Sequence, residues 1–137
     1  MGHAHAITFE IVGPCDGTPF LQGTFKSDIS ESVGKTTLDL LDFYGISYVG
    51  TENGIHSIQN SPIGDDAIEV LSETRLRAYG WCFSINGVIP DKLASMVNFQ
   101  SASDHLRWFY AYSTYDNGVW VDYCKPSFKI KSQKICK

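Results

Sequence analysis

The stretch Gly80-Trp81-Cys82-Phe83-Ser84-Ile85-Asn86-Gly87 decides the fold of this chain. Its first six residues have the chemistry of a β-strand, because large apolar side chains alternate with small or polar ones. The Asn-Gly pair then predicts a tight turn, since both residue types adopt positive φ readily. The stretch therefore predicts an interior strand with an abrupt end. The aromatic segment 105–112 is the best candidate for the neighbouring strand.

Turn-forming residues separate further strand-like segments along the chain. Glycine, proline and asparagine punctuate runs in which apolar and polar residues alternate, and such runs predict β-hairpins. The segments predicted to pair are 7–12 with 20–26, 46–49 with 55–58, and 105–112 with 119–124. In the third pair, Asp116-Asn117-Gly118 supplies the turn.

One segment has the periodicity of a helix. Leu38 and Leu41 fall on one helical stripe, and Gly45 is the residue expected to end the helix. Thr36 or Thr37 is the predicted N-cap, because a hydroxyl can accept a hydrogen bond from the first free N–H groups.

Two connecting segments and the C-terminal end are less regular. Within the irregular segment 61–79, residues 65–71 fit a short helix or a strand, and residues 90–97 fit one helical turn or a crossover loop. Near the end, Phe128 and Ile130 alternate with lysines, which predicts an edge strand whose charges oppose aggregation.

The length of 137 residues fits one domain with its own core. All fifteen acidic residues precede Lys125, whereas five of the eleven basic residues lie from Lys125 onward. An acidic body repels phosphate backbones, so we expect no nucleic-acid partner. No apolar run approaches the roughly 20 residues of a membrane span. The basic end is expected to lie against its own acidic domain, with binding to another molecule as the alternative.

Four cysteines lie far apart in the sequence: Cys15, Cys82, Cys124 and Cys136. They form no C-x-x-C pair, which argues against a zinc ribbon or a thioredoxin-like centre. An even number at wide spacing favours two disulfides, with four reduced thiols as the alternative. Four cysteines allow three pairings. We favour Cys82 with Cys124, which links strands, and Cys15 with Cys136, which ties the tail to the loop after the first strand.

Residues 1–6 have the character of a leader or a cloning remnant. Met1-Gly2-His3 is typical of a cloning start, and Ala4-His5-Ala6 has the small-x-small form that signal peptidase leaves behind. Together with the cysteines, this pattern predicts a mature exported domain, in the periplasm, in the medium or at the cell surface.

A succession of motifs resembles a known domain family. In chain order the motifs are Gly34-x-Thr36-x-Leu38-x-x-Leu41, Gly54-Ile55-x-x-Ile58, Gly80-Trp81-x-x-x-Ile85-Asn86-Gly87 and Asp104-x-Leu106-x-Trp108-x-Tyr110. They resemble the family related to the C-terminal domain of transcobalamin and intrinsic factor, over about residues 7–112. The sequence departs from the family at Ser103-Asp104, where Gly-Asp is usual, and residues 119–137 lie beyond the family core.

The resemblance implies an α+β, ubiquitin-like β-grasp fold: a hairpin, one main helix across a mixed sheet, and further strands, here with extra strands at the C-terminal end. It divides the chain into the leader 1–6, a β-grasp-like domain 7–124 and a basic strand or tail 125–137. Bacterial members resemble exported modules of largely unknown function. In the animal proteins the domain closes over one face of cobalamin that a separate helical domain holds. The sequence contains no counterpart of that helical domain, so the resemblance implies fold and compartment more than ligand.

No constellation of residues specifies a reaction. His105 follows Asp104 directly, and adjacent strand residues point to opposite faces, so the two cannot form a relay. His56 has no acidic or cysteine partner evident in the sequence, and Asp65-Asp66 fits a helix start better than a metal pair. We therefore predict no catalytic residue, no metal ligand and no cofactor, and we predict that the protein is not an enzyme.

Half of the aromatic residues lie between Phe99 and Phe128. A hairpin with so many aromatic residues cannot easily bury every ring against one helix. Exposed Tyr and Trp side chains favour contacts with proteins or flat ligands. The alternative is a core built from aromatic residues. The predicted contact residues are Trp108, Tyr110, Tyr112, Tyr115, Trp120 and Tyr123.

The sequence thus predicts a non-catalytic exported binding module. Its predicted partner is another protein or a surface polymer, or else a small flat ligand. Binding of a corrinoid or another tetrapyrrole is the alternative function, and a small enzyme is a third.

Overall fold

The computed structural model describes residues 4–28, 30–130 and 136. This part of the chain forms a small α+β structure with one α-helix and eight β-strands. In chain order the elements are β1 (Ala4–Val12), β2 (Pro19–Asp28), α1 (Val33–Phe43), β3 (Tyr48–Thr51), β4 (Gly54–Ile58), β5 (Ile68–Val70), β6 (Arg75–Ile85), β7 (His105–Asp116) and β8 (Val119–Pro126). Single turns of 3-10 helix lie at Gly64–Ala67, Ala94–Met96 and Ser127–Lys129.

Six strands form one mixed sheet in the order β2-β1-β7-β6-β5, and β8 also pairs with β7. β1 forms an antiparallel hairpin with β2 and runs parallel to β7. β6 and β7 pair antiparallel from Arg75, opposite Asp116, to Ile85, opposite Leu106. β3 and β4 form a separate hairpin. The three predicted hairpins are therefore present, and β7 is the neighbour of the β6 stretch, as predicted.

The main core lies between the sheet and α1. Alternate residues of β1, β6 and β7 point towards the helix, as the two-residue period of a strand requires. The Trp108 indole N–H donates to the Thr37 hydroxyl on α1 at 2.9 Å, which fixes the helix over β7. A smaller cluster lies on the opposite face of the sheet. The buried residues of the main core are Ile7, Phe9, Ile11, Val33, Leu40, Leu41, Ile55, Ile58, Phe83, Ala94, Phe99, Leu106 and Trp108.

Helix α1 begins earlier than predicted. Its N-cap is Ser32, whose hydroxyl accepts a hydrogen bond from the Lys35 N–H at 3.0 Å, so the prediction of Thr36 or Thr37 was wrong. Both threonines are buried within the helix instead. Gly45 follows the helix with φ +67°, as expected for its end.

Both ends of the chain differ from the predicted domain limits. β1 begins at Ala4, so part of the predicted leader 1–6 belongs to a strand, and residues 1–3 lie outside the described residues. β8 continues to Pro126, past the predicted limit between residues 124 and 125. Ser127–Lys129 is a 3-10 turn and not the predicted edge strand, because the buried Ser127 hydroxyl donates to the Pro14 carbonyl at 2.8 Å. Residues 131–135 and 137 lie outside the described residues.

Residues 65–71, which fit either a short helix or a strand, take part in both a 3-10 turn and a strand. The 3-10 turn at Gly64–Ala67 leads into β5, and the segment 61–79 ends in the first half of β6. The loop 90–97 contains the single turn that was one of its two predicted forms. No helix among the described residues is long and apolar enough to cross a membrane.

The turn at the end of β6 is held by side chains as well as by its backbone. Asn86 and Gly87 have φ of 52° and 82°, as an Asn-Gly turn requires. The Asn86 side chain donates to the Asp104 carboxylate at 2.9 Å and accepts from the His105 N–H at 2.8 Å. Asn86 therefore joins the end of β6 to the start of β7.

Asp104 is a buried carboxylate that accepts three hydrogen bonds. Besides Asn86, the backbone N–H groups of Gln100 and Ser101 donate to it at 2.7 and 3.1 Å. Burial alone raises the pKa of Asp104, but these hydrogen bonds outweigh burial and hold the pKa below its usual range. A pKa lowered by folding means that the ionised carboxylate stabilises the fold at neutral pH. This contribution is lost as the pH falls through the folded-state pKa.

We expect Asp104→Asn to lower the free energy of unfolding by about 2 kcal/mol at neutral pH, because an amide cannot accept three hydrogen bonds as a charged carboxylate does. The difference from wild type should shrink below about pH 4, where aspartates of the unfolded chain become protonated. Urea denaturation at a series of pH values measures this difference in the free energy of unfolding. Asp91→Asn is the control, because Asp91 is exposed. A difference that does not change with pH would contradict a role for the charge.

Candidate functional site

The outer edge of β6 lacks a paired strand over much of its length. β7 covers one edge of β6 completely, but β5 pairs with the other edge only at residues 76–78. Further along, Ile85 forms an isolated bridge with Val88. Between these two points no described strand pairs with the outer edge, so residues 79–84 are unpaired on that side.

The backbone groups of Trp81 and Phe83 point to this free edge. The Asn86 N–H donates to His105 on β7, whereas the Ile85 N–H donates to Val88 on the opposite side, both at 2.9 Å. Successive residues of a strand alternate in this direction. Trp81 and Phe83 share the orientation of Ile85, so each directs its N–H and C=O outward.

Two cavities lie beside this edge. One, of about 190 Å³, is bounded by β4, the loop 89–94 and the β6 residues Trp81 and Phe83. The other, of about 270 Å³, shares Ile55, His56 and Trp81 with the first and extends to residues 62–64. We call the continuous depression along β6 from Tyr79 to Phe83 the β6 groove.

Hydrogen bonds hold the walls of the β6 groove in place. The Trp81 indole N–H donates to the Ser61 hydroxyl at 2.8 Å, which fixes the segment after β4. At the other end, the Ala94 N–H donates to the Asn53 carbonyl at 3.1 Å, and the Ser95 hydroxyl donates to the Asn53 side chain at 2.6 Å. The loop and the β3–β4 turn therefore support each other.

Exposed apolar side chains surround one end of the β6 groove. The Tyr123 ring, 68% exposed, lines the 190 Å³ cavity together with Ile89 and Leu93 and also borders Met96. A further depression on the other side of β6 joins Tyr123 to Trp120, which is 54% exposed. We call this set the apolar rim; its members are Ile89, Leu93, Met96, Trp120 and Tyr123.

The structure divides the six predicted contact residues into two groups. Trp108, Tyr110 and Tyr112 are buried, so the prediction that they form a contact surface was wrong. They lie on β7, a central strand that is enclosed by its three paired strands β1, β6 and β8 and by the elements that pack over the sheet. The other three belong to the exposed end of the hairpin: Tyr115, partly buried, packs edge-on against Trp120 at 5.1 Å between ring centroids, and Tyr123 is exposed.

Tyr110 has an unusual environment among these aromatic residues. Its hydroxyl is buried and has no hydrogen-bond partner among the described residues. Burial raises the pKa of Tyr110, and the neighbouring Tyr79 adds to the effect. Tyr79 stacks on Tyr110 and donates its own hydroxyl to the Ile130 carbonyl at 2.9 Å, which attaches the C-terminal segment to β6.

Both predicted disulfides are present. Cys15 pairs with Cys136, and Cys82 pairs with Cys124, with Cα atoms 5.4 and 6.0 Å apart. The second bond joins β6 to β8 across β7. A positive φ of 50° at Cys124 and irregular pairing of β8 turn its side chain towards β6. Two disulfides indicate an oxidising, exported environment.

His105 does not pair with Asp104, as expected, but it contacts Glu10. Its Nε2 lies 3.1 Å from the Glu10 carboxylate, and its Nδ1 lies 2.7 Å from the Thr8 hydroxyl. The sequence could not indicate this cluster, because the parallel pairing of β1 with β7 brings together residues almost a hundred positions apart.

When a hydroxyl, an imidazole and a carboxylate are arranged in this order, the imidazole can activate the hydroxyl as a nucleophile. Such a site also needs a cavity for the substrate. Thr8, Glu10 and His105 line none of the cavities at β6. Among the described residues, no three His, Cys, Asp or Glu side chains lie together in a way that could hold a metal ion.

Sequence reasoning identified the strand at the centre of the β6 groove but not its walls. Ile55, His56, Ile89 and Leu93 come from two other segments, and no spacing in the sequence places them together. The part of the groove that the sequence does indicate is the stretch 80–84, which is uncharged and contains no proline.

Comparisons with known proteins do not assign the chain to a family. No family model matches it, and no curated protein matches it. Among solved structures it is similar to a "putative metal binding protein" from Ruminococcus gnavus. That similarity has 15% sequence identity and a TM-score of 0.45, over 77% of this chain and 95% of the other. Values this low transfer neither a fold nor a function.

Proposed function

We propose that this protein is a non-catalytic, exported binding module that holds a partner protein against the β6 groove and the apolar rim. The observation that carries the proposal is the exposure of Trp120 and Tyr123 beside the groove. Large aromatic side chains that remain accessible around a preformed depression are typical of binding surfaces. Because the groove walls are already hydrogen-bonded to each other, binding requires little reorganisation of the protein.

The proposal includes a β-grasp fold related to the transcobalamin-like family. The order of the sheet supports it, with a first hairpin, a helix across one face, and β1 parallel to a central β7. Two of the motif glycines, Gly34 and Gly87, have a structural reason; for Gly87 it is the φ of 82°. Gly34 of α1 lies directly against the backbone of Glu52, and Gly50, outside the motif, is similarly close to β4. These contacts fix the β3–β4 hairpin against the helix.

A partner protein fits the site better than a corrinoid does. The two cavities of the β6 groove have volumes of about 190 and 270 Å³, each below the roughly 300–1,000 Å³ of sites that enclose small molecules. A corrinoid seated here would keep most of its surface in water, which removes the burial that tight binding needs. Titration with cyanocobalamin, followed by absorbance, checks this alternative directly, and saturable binding would favour it.

We expect Trp120→Ala and Tyr123→Ala to weaken partner binding by about 2 kcal/mol or more, because truncating exposed aromatic anchors removes contact area at the interface. The free energy of unfolding should change by less than about 1 kcal/mol, as for other exposed positions. Pull-down from the producing organism, followed by calorimetry with the captured protein, measures the first effect, and thermal melting measures the second.

Phe43→Ala is the matched control, because Phe43 is an exposed aromatic residue on α1, 73% accessible, that lines neither the groove nor the rim. It should bind the partner as wild type does. A partner that binds all three variants equally well would place the binding surface elsewhere.

A further inference from the structure

We propose that the partner protein anchors itself by a single phenylalanine side chain, flanked by an acidic residue, that enters the 190 Å³ cavity of the β6 groove. This inference rests on the proposed function and names the chemistry of the partner segment that the same site takes. An engineered apolar cavity of roughly 150 Å³ binds benzene, so the cavity at β6 has room for one aromatic ring.

The cavity extends from the surface to the main core. Ile55, Phe83 and Trp108 of the core line its inner part, together with the buried Ala94. Exposed residues of the β3–β4 turn, the loop 89–94 and β8 form its mouth. A ring that enters this cavity exchanges water for apolar surface on several sides, as the anchor residues of protein interfaces do.

The inner part of the cavity favours phenylalanine over tyrosine. Its two indole N–H groups are already engaged, because Trp81 donates to Ser61 at 2.8 Å and Trp108 donates to Thr37 at 2.9 Å. A phenol hydroxyl placed beside these indoles would leave water without gaining a hydrogen bond from either of them. An unsubstituted ring loses nothing in this way and packs well against other aromatic rings.

The mouth of the cavity favours an anion. Among the described residues that line the cavity, Lys92 is the only one with a fixed charge, and none is acidic. His56 is a second side chain there that can carry a positive charge. Asp91, the neighbour of Lys92, lines two adjacent depressions instead. Since all fifteen acidic residues precede Lys125, a mouth without any of them is a distinct local charge, and a carboxylate beside the anchor complements it.

Glycine at residue 54 leaves this cavity open. Gly54 lies in β4 without a positive φ, and nothing lies within 4 Å of a Cβ at that position. Neither the backbone conformation nor close packing therefore requires a glycine. Gly54 lines the cavity, and it shares a face of β4 with His56, which also lines it. A larger side chain at residue 54 would occupy space in which we expect the ring.

The test uses the oxidised full chain and a phage-displayed library of random heptapeptides. We expect the selected peptides to share one phenylalanine with Asp or Glu within two positions of it. Replacing that phenylalanine by alanine should weaken binding about thirtyfold or more, as for an interface anchor. Lys92→Gln should weaken binding only about two- to fivefold, because an exposed ion pair contributes little.

Gly54→Val is the decisive variant. It should weaken binding of the selected peptides by about thirtyfold, and Gly54→Ala should weaken it less, because alanine fills less of the cavity. The peptides in which alanine replaces phenylalanine should bind wild type and Gly54→Val equally, since they have no ring to exclude. Losses that simply add, with the alanine peptides also weakened by Gly54→Val, would overturn the inference.

The tryptophan indole N–H signals in NMR spectra give a readout on the unmodified protein. Trp81 and Trp108 line the cavity, whereas Trp120 lines only the depression on the other side of β6. A selected peptide should shift the Trp81 and Trp108 signals, and its alanine version should leave them in place. A shift confined to Trp120 would mean docking on the apolar rim without insertion, which overturns the inference.

Other outcomes separate this inference from the proposed function. If no peptide binds wild type more tightly than Gly54→Val, insertion is overturned and the apolar rim remains the candidate surface. N-acetylphenylalanine that binds as tightly as the selected peptides would make the cavity a site for a small aromatic acid, and insertion by a partner would again be wrong. The pull-down with the Trp120→Ala and Tyr123→Ala proteins decides the proposed function separately.

Discussion

Trp108→Ala is expected to lower the free energy of unfolding by about 3–5 kcal/mol, as large truncations of buried aromatic residues do. The Trp108 side chain is 3% exposed and packs against Phe83 with 5.1 Å between ring centroids. Its indole N–H also donates to Thr37 in α1. The substitution therefore leaves a cavity between the sheet and the helix and removes the hydrogen bond that joins them. Equilibrium denaturation in urea measures the loss.

Trp120→Ala is the control that makes this result informative. The same substitution is made in the same hairpin, but Trp120 is 54% exposed, so its loss should cost less than about 1 kcal/mol. The two variants thus separate core aromatic residues from surface ones. Equal losses of stability in both proteins would mean that β8 belongs to the core and would remove the apolar rim as a contact surface.

The contrast between these two tryptophans shows where sequence reasoning reaches its limit. The alternation that places Leu106, Trp108, Tyr110 and Tyr112 on one face of β7 is visible in the sequence, and the structure has it. Whether that face is covered depends on the position of β7 in the sheet. A central strand paired with β1, β6 and β8 is enclosed, and strand order is set by contacts between distant segments.

Local signals identified the elements better than their ends. The three hairpins and the Asn86 turn follow from turn residues, which act over a few positions. The start of α1 was missed because its first turn contains Val33 and Gly34, which favour helices weakly in isolation. Packing against the rest of the protein stabilises that turn, so Ser32 serves as N-cap. Packing of this kind has no signature in a short window of sequence.

The disulfides, by contrast, are long-range contacts that were predicted correctly from the sequence. Cys82 and Cys124 were paired from the expectation that both lie in neighbouring parts of one sheet, and that expectation needed only approximate strand positions. The β6 groove required more, because its walls depend on how the β3–β4 turn meets the loop after β6. A site assembled from three separate segments becomes visible only when the tertiary structure is known.

Gly34→Ala is expected to lower the free energy of unfolding by about 3 kcal/mol, near the upper end for overpacking. In an ordinary helix the same change would stabilise the protein by about 0.5–1 kcal/mol. Here a Cβ at residue 34 would lie 2.7 Å from the Glu52 carbonyl carbon and would overlap the carbonyl oxygen. Both are backbone atoms, so the β3–β4 turn must move to accommodate it. Urea denaturation reports the sign of the effect, which distinguishes the two expectations.

The displaced turn should also disturb the β6 groove, because Asn53 in that turn holds Ala94 and Ser95 of the opposite wall. Gly34→Ala is thus expected to weaken partner binding as well as stability, although Gly34 lines none of the groove cavities. Gly23→Ala is the matched control, since a Cβ at that position would meet its nearest atoms at 3.7 Å, an ordinary contact distance, and Gly23 lines none of the groove cavities. It should change stability by less than about 1 kcal/mol and leave binding unchanged. A Gly34→Ala protein as stable as wild type would show that the close contact between α1 and the β3–β4 turn does not hold the hairpin in place.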